Sequence, residues 1–247
     1  MQLALTALLI VVIGLLVMRA VSRERKEYGR FKRLRATAAR KKVYRRWLRE
    51  SFFVFGGLTA AILLAAWQFV PQVLADAQSW GPLASAIEVM DTTGGRWGVA
   101  VAALLFVVAL LLPALLLRGN HEDVPTIGDI GALLPRNRGE LIYGALLGTN
   151  AGIVEELLFR FALPALIFGI VADGVLAFGA SAVLFGVLHL YQGPAGVTSS
   201  IVLGVIFSLI YILSGSLLLV VVLHVLFDLR SLLLIPVVVM RVHTKTA

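Results

Sequence analysis

Long apolar runs broken by short polar stretches set the pattern of this chain. A bilayer's hydrocarbon core takes about 20 helical residues to cross. Residues 3–18, "LALTALLIVVIGLLVM", form the first such run, 51–71 the second and 97–117 the third, closed by Arg118. Between the second and third, residues 72–96 are polar and Gly-containing, with Asp76, Glu88 and Asp91, and read as an external connection. Residues 118–140 are polar again, with Pro125, Pro135, Arg136 and Arg138. From 141 to 170 the apolar run exceeds one upright span. "GTNAG" at 148–152 is a candidate break in it, and Pro164 a candidate kink. Further spans read at 174–190 and 197–214, and a last one at 216–240 is interrupted by "HVLFDLR" and Pro236. The pattern predicts an all-α, polytopic transmembrane bundle of seven or eight spans, with no internal repeat. Three regions follow: 1–50, a membrane helix and a basic segment; 51–140, spans and loops; and 141–240, a helical core.

Composition agrees with lipid as the solvent. Hydrophobic residues make up 60% of the 247, and the mean hydropathy is +0.94. A soluble domain of this size cannot hide so much apolar surface. With no cysteine in the chain, disulfides and thiolate metal sites are excluded. The formal net charge of +8 is concentrated at residues 19–49, directly after the first apolar run. That placement reads as a cytoplasmic segment facing anionic lipid rather than nucleic acid. Tyr28, Phe31, Leu34, Val43, Tyr44 and Trp47 among the cations suggest a partly helical, interfacial stretch. The N-terminus is then outside, and Arg241 and Lys245 hold the C-terminus inside. Residues 3–18 lack a positive n-region before them and a small-residue cleavage site after them, so they are read as a retained span.

Charged groups at membrane depth need a reason, because each costs roughly 2.5 to 3.5 kcal/mol at mid-bilayer on insertion scales. "GIVEELLFRF" at 152–161 contains Glu155, Glu156 and Arg160. Glu156 and Arg160 are four apart on one helical face and suit a structural ion pair. Glu155 is turned about 100° away, without that partner, and is left for chemistry. His189 ends "FGVLH", four residues after Phe185, and His224 begins "HVLFD", stacked over Asp228. A lone intramembrane histidine is most often a helix-to-helix hydrogen bond. Two of them with a free glutamate and an aspartate in separate spans point to one shared polar site. His121 and His243, in a loop and a tail, read as ordinary polar positions. A carboxylate and an imidazole can hold a water and take its proton, while a second imidazole donates to an oxyanion. The same Glu155, His189 and His224 could instead bind a divalent metal such as zinc. A serine nucleophile is not needed, since Ser181 lies two helical turns from His189.

"EELLFR" at 155–160, "FGVLH" at 185–189 and "HVLFD" at 224–228 resemble the EExxxR, FxxxH and HxxxN/D motifs of the CPBP intramembrane endopeptidases. That family includes the CAAX prenyl proteases of the Ras-converting type and Abi-type proteins. The resemblance covers roughly residues 140–230. It implies a membrane peptidase in which Glu155 and His189 activate the water, while His224 and Asp228 complete the site, and whose cavity opens to the cytoplasm. The family is often called metalloprotease, and a metal-free glutamate mechanism has also been argued for it. Phe161 replaces the glycine often found after the arginine, and Asp228 stands where asparagine is common. The expected substrate is a peptide or lipidated protein in the membrane, a prenylated CAAX-type protein or another processed peptide. Two other classes fit the polar cluster: a non-catalytic membrane binding protein or chaperone, and a proton-coupled transporter. The second usually carries pseudo-symmetry that is not seen here.

Overall fold

The computed structural model describes residues 1–116, 126 and 128–244. Arg118, His121, Pro125 and Lys245, read above as parts of loops or the tail, lie outside the described residues. All regular structure among the described residues is helical. Helix α1 is Gln2–Phe31 and α2 is Thr37–Ala66. The short α3 (Phe69–Ser79) and α4 (Gly81–Asp91) lead to α5, Thr93–Leu116. Helix α6 (Arg138–Glu156) continues through a π-helical stretch, Leu157–Ala162, into α7, Leu163–Val171. Then come α8 (Gly174–Val187), α9 (Gly193–Ser214), α10 (Leu217–Leu229) and the short α11 (Ile235–Val238). Among the described residues, five helical segments are long and apolar enough to cross a membrane: α1, α2, α5, Leu190–Ser214 and Leu217–Val238. The chain is an integral membrane protein by this measure.

The first two helices are longer than any bilayer core. Thirty residues make about 45 Å of helix against roughly 30 Å of hydrocarbon, so the cationic halves of α1 and α2 extend beyond their apolar halves. They form an antiparallel hairpin, with Glu27 Oε2 accepting from Arg46 Nη2 at 3.1 Å and from Trp47 Nε1 at 3.0 Å. The aromatic residues read as interfacial are instead turned onto protein. Tyr28, Phe31 and Tyr44 are buried in a small second core, joined by Leu34, Val43, Trp47 and Tyr143. Their spacing of three along each helix puts them on the shared face of the hairpin.

A buried ion pair fastens this hairpin to the start of α6. Arg40 Nε stands 3.0 Å from both carboxylate oxygens of Glu140. Its Nη2 donates to the Tyr44 hydroxyl at 2.9 Å and to the Ala132 and Leu134 carbonyls at 3.0 and 3.2 Å. The guanidinium also lies over the Phe31 ring, 4.3 Å from its centre. Arg40 and Glu140 are both fully buried.

Residues 148–152 do not break the helix. They lie within α6, and their glycines serve close approach. A Cβ at Gly148 would stand 2.9 Å from Asp228 Cβ, and one at Gly152 would stand 2.8 Å from the Val225 backbone nitrogen. Gly144 continues the same face, where a Cβ would meet the Leu232 carbonyl oxygen at 2.6 Å. Three glycines at a spacing of four thus let α6 pack backbone to backbone against α10 and the turn after it. The irregularity falls further on, where the π-helical Leu157–Ala162 precedes Pro164. Likewise "HVLFDL" stays helical, and the second irregularity is the π-helical Arg230–Leu234 before Pro236. Proline removes a donor and crowds the carbonyl four residues back, and a widened turn relieves both.

Removing one partner of a buried, hydrogen-bonded pair strands the other charge. Glu140→Ala is therefore expected to cost about 3 to 5 kcal/mol, read as a large fall in the melting temperature of the detergent-solubilised protein. A melting temperature within a degree of the parent would show that the hairpin clamp carries no weight.

Candidate active site

The residues singled out from sequence sit on three helices that pack around one cavity. Glu155 and Glu156 end α6, His189 follows α8, and His224 and Asp228 lie on α10. A cavity of about 510 Å3 is lined by Glu155, His189, His224 and Asp228 together, with Phe185 and Phe207 between them. It extends to Tyr28 and Trp47, so its other end lies at the basic hairpin. Helix α6 begins at that end, so Glu155 lies about 25 Å along it from Arg138 at 1.5 Å per residue. Along α6 the cavity wall runs from Leu147 to Glu155, and the helix reaches Glu155 without a break.

Each histidine has one ring nitrogen fixed. The His189 Nδ1–H donates to the Phe185 carbonyl at 2.8 Å, one of the carbonyls that a helix end leaves without an intrahelical partner. His224 Nδ1 lies 2.6 Å from Glu156 Oε1 and donates to that carboxylate. With a proton on Nδ1, each ring offers its Nε2 as an acceptor when neutral and as a donor when protonated. His224 Nε2 is 3.9 Å from Asp228 Oδ2, the i, i+4 stacking expected from "HVLFD" but beyond a direct hydrogen bond. The His224 ring is further held between Phe207 and Phe185, with centroids at 5.2 and 6.0 Å.

The two glutamates differ as their spacing suggests, with one addition. Glu156 is fully buried and its Oε1 is 3.0 Å from Arg160 Nη1. Arg160 Nη2 also reaches the Gly204 carbonyl at 3.4 Å. Its guanidinium lies over Phe185 and Phe207, 4.4 and 5.7 Å from their centres, an arrangement in which ring faces shield a buried cation. The missed contact is Glu156 to His224. Sequence spacing reveals i, i+4 partners within a helix, and carries no signal for a partner 68 residues away. Glu155 is half-buried and faces the cavity. Asp228 is also half-buried, and its side chain is 26% exposed. Among the described residues no group of three or more His, Asp or Glu side chains is arranged to hold a metal ion, Glu155, His189 and His224 included.

Fold and site together define a helical membrane protein with a Glu- and His-lined cavity at the meeting point of its core helices. Residues 137–230 match the family described as Rce1-like, type II CAAX prenyl endopeptidase Rce1-like. The segment holds all three motifs, agrees with their CPBP resemblance, and implies a membrane protease of the CAAX type. It is less than half of the chain. No curated protein and no solved structure was found to match.

The geometry separates the glutamates experimentally. Glu156→Gln strands Arg160 in a buried site and is expected to cost about 3 to 5 kcal/mol, whereas Glu155→Gln leaves the melting temperature nearly unchanged. Comparable losses for the two substitutions would contradict this division.

Proposed function

We propose that the protein is an intramembrane endopeptidase that cleaves a peptide bond of a membrane-tethered substrate with a water activated by Glu155. The convergence of Glu155, His189, His224 and Asp228 on one cavity carries this reading. Glu155 acts as general base, taking a proton from a water also held by His189 Nε2. The hydroxide adds to the scissile carbonyl, and His224, which enters the step as the imidazolium with a solvent-derived proton on Nε2, donates from Nε2 to the oxyanion and keeps that proton. Glu156, as acceptor of the His224 Nδ1–H, favours that protonated ring and fixes its direction. Asp228, four residues on, lies near enough to orient a water beside His224. Glu155, now protonated, returns its proton to the leaving amine. Glu156 is thus a positioning residue as well as the partner of Arg160.

A CAAX-type prenylated protein or peptide fits this chemistry, with its polypeptide in the cavity and its lipid anchor among the helices. Membrane lipid is the other expected partner. Counting Arg138–Val171 and α8 as crossings beside the five long apolar segments makes seven crossings. The dense positive charge of residues 19–49 then holds the hairpin and the C-terminus in the cytoplasm and the N-terminus outside. The cavity would open on the cytoplasmic side, where CAAX-type chains are tethered.

Glu155→Gln is expected to lower the cleavage rate of a farnesylated CAAX-type peptide by at least about 100-fold, the scale of a lost general base, with folded protein retained. Full activity in that variant would overturn the assignment. In a chain without cysteine, single cysteines report sidedness: one at position 35 should label only after permeabilisation, and one at position 85 from outside. The reverse pattern would invert the orientation and remove cytoplasmic access.

A further inference from the structure

Asn150 belongs to the "GTNAG" stretch, which turned out to be helical and therefore leaves the asparagine unexplained. Its amide Nδ2 donates to Ser51 Oγ on α2 at 3.1 Å. Hydrogen bonds of this kind often do no more than join membrane helices. Two observations separate this pair from that role. Both side chains are half-buried rather than sealed in a helix contact, and both line the cavity that holds Glu155. Among the described residues, no hydrogen bond occupies the Asn150 carboxamide oxygen or the Ser51 hydroxyl hydrogen. One acceptor and one donor therefore remain side by side on the cavity wall. That is the complement of the N–H and C=O that an extended peptide presents.

Position along the helix adds a register. Leu147, Asn150, Ala151 and Glu155 all line the cavity from α6, at spacings that share one face. Asn150 lies about 7.5 Å before Glu155 along the axis, on the side of the basic hairpin, given 1.5 Å per residue. An extended peptide advances about 3.3 Å per residue, so the two points are roughly two residues apart on a bound chain.

We propose that Asn150 and Ser51 form a backbone-binding subsite that sets the register of the substrate peptide, holding the residue about two positions from the scissile bond on the hairpin side. This rests on the endopeptidase reading above. It also gives α2, which lies outside the family match at 137–230, a share in the site through Ser51.

The test uses the full-length protein in detergent and two fluorescent farnesylated CAAX-type peptides. One is all-amide, and the other has an ester in place of the backbone amide two residues from the cleaved bond, which deletes a single N–H. Binding is measured for the parent protein and for Asn150→Ala, and cleavage of the amide peptide for the parent and Glu155→Gln. The expected result is a loss of about three- to tenfold in affinity from the ester in the parent, the scale of one neutral hydrogen bond, and no loss from it in Asn150→Ala. Ser51→Ala should shrink the ester penalty in part. An ester penalty of the same size in parent and Asn150→Ala would overturn the subsite, because a purely structural asparagine weakens both peptides alike. If the parent cleaves the amide peptide and Glu155→Gln does not while that penalty is unchanged, the subsite alone fails. A parent protein that neither binds nor cleaves the amide peptide would overturn the substrate reading and the subsite together.

Discussion

One carboxylate oxygen organises the core of this protein. Glu156 Oε1 is 3.0 Å from Arg160 Nη1 and 2.6 Å from His224 Nδ1, so it joins a cation of its own helical run to an imidazole of α10. All three side chains are buried. In such surroundings an ion pair is weak support for stability, because desolvation offsets most of its Coulomb gain. What it supplies is direction. The imidazole is held in one orientation, the rings of Phe185 and Phe207 flank both His224 and Arg160, and α6 and α10 are held at the distance the glycines of α6 permit. Glu155, the next residue, is thereby turned into the cavity without a partner of its own in α6.

Much of this was legible in the sequence, and the reasons for the rest are physical. Helical periodicity distinguished Glu156, paired with Arg160, from Glu155, because positions four apart on a helix meet whatever the tertiary fold. It also stacked His224 over Asp228. The apolar runs located the helices of the core. Periodicity failed where a residue's meaning depends on a distant element. Gly148 and Gly152 read as breakers, yet α10 approaches them so closely that only glycine fits an unbroken helix. Tyr28, Phe31 and Tyr44 read as interfacial, yet the hairpin folds them onto one another and onto Tyr143. The basic charge that suggests a lipid-facing segment says nothing of Arg40, which Glu140 draws fully inside. The His224–Glu156 contact needed the two helices placed side by side.

The N-terminal half therefore does more than set topology. Through Arg40 and Glu140 it anchors the start of the helix that carries both glutamates. Through Tyr28, Trp47 and Ser51 it supplies part of the cavity wall. A chain reduced to residues 137–230 would keep the three motifs and lose one side of the chamber in which they work.

Whether that chamber is where substrate sits can be read from covalent capture. A farnesylated CAAX-type peptide carrying a photoreactive benzoylphenylalanine next to the scissile bond would be illuminated with Glu155→Gln protein in detergent, and the adducts located by mass spectrometry. Adducts should concentrate on the cavity walls, on Phe185, Phe207 and the segment 147–155 of α6. Labelling confined to the outward face of α5, with none on those walls, would place the peptide outside the cavity and contradict a site built on Glu155.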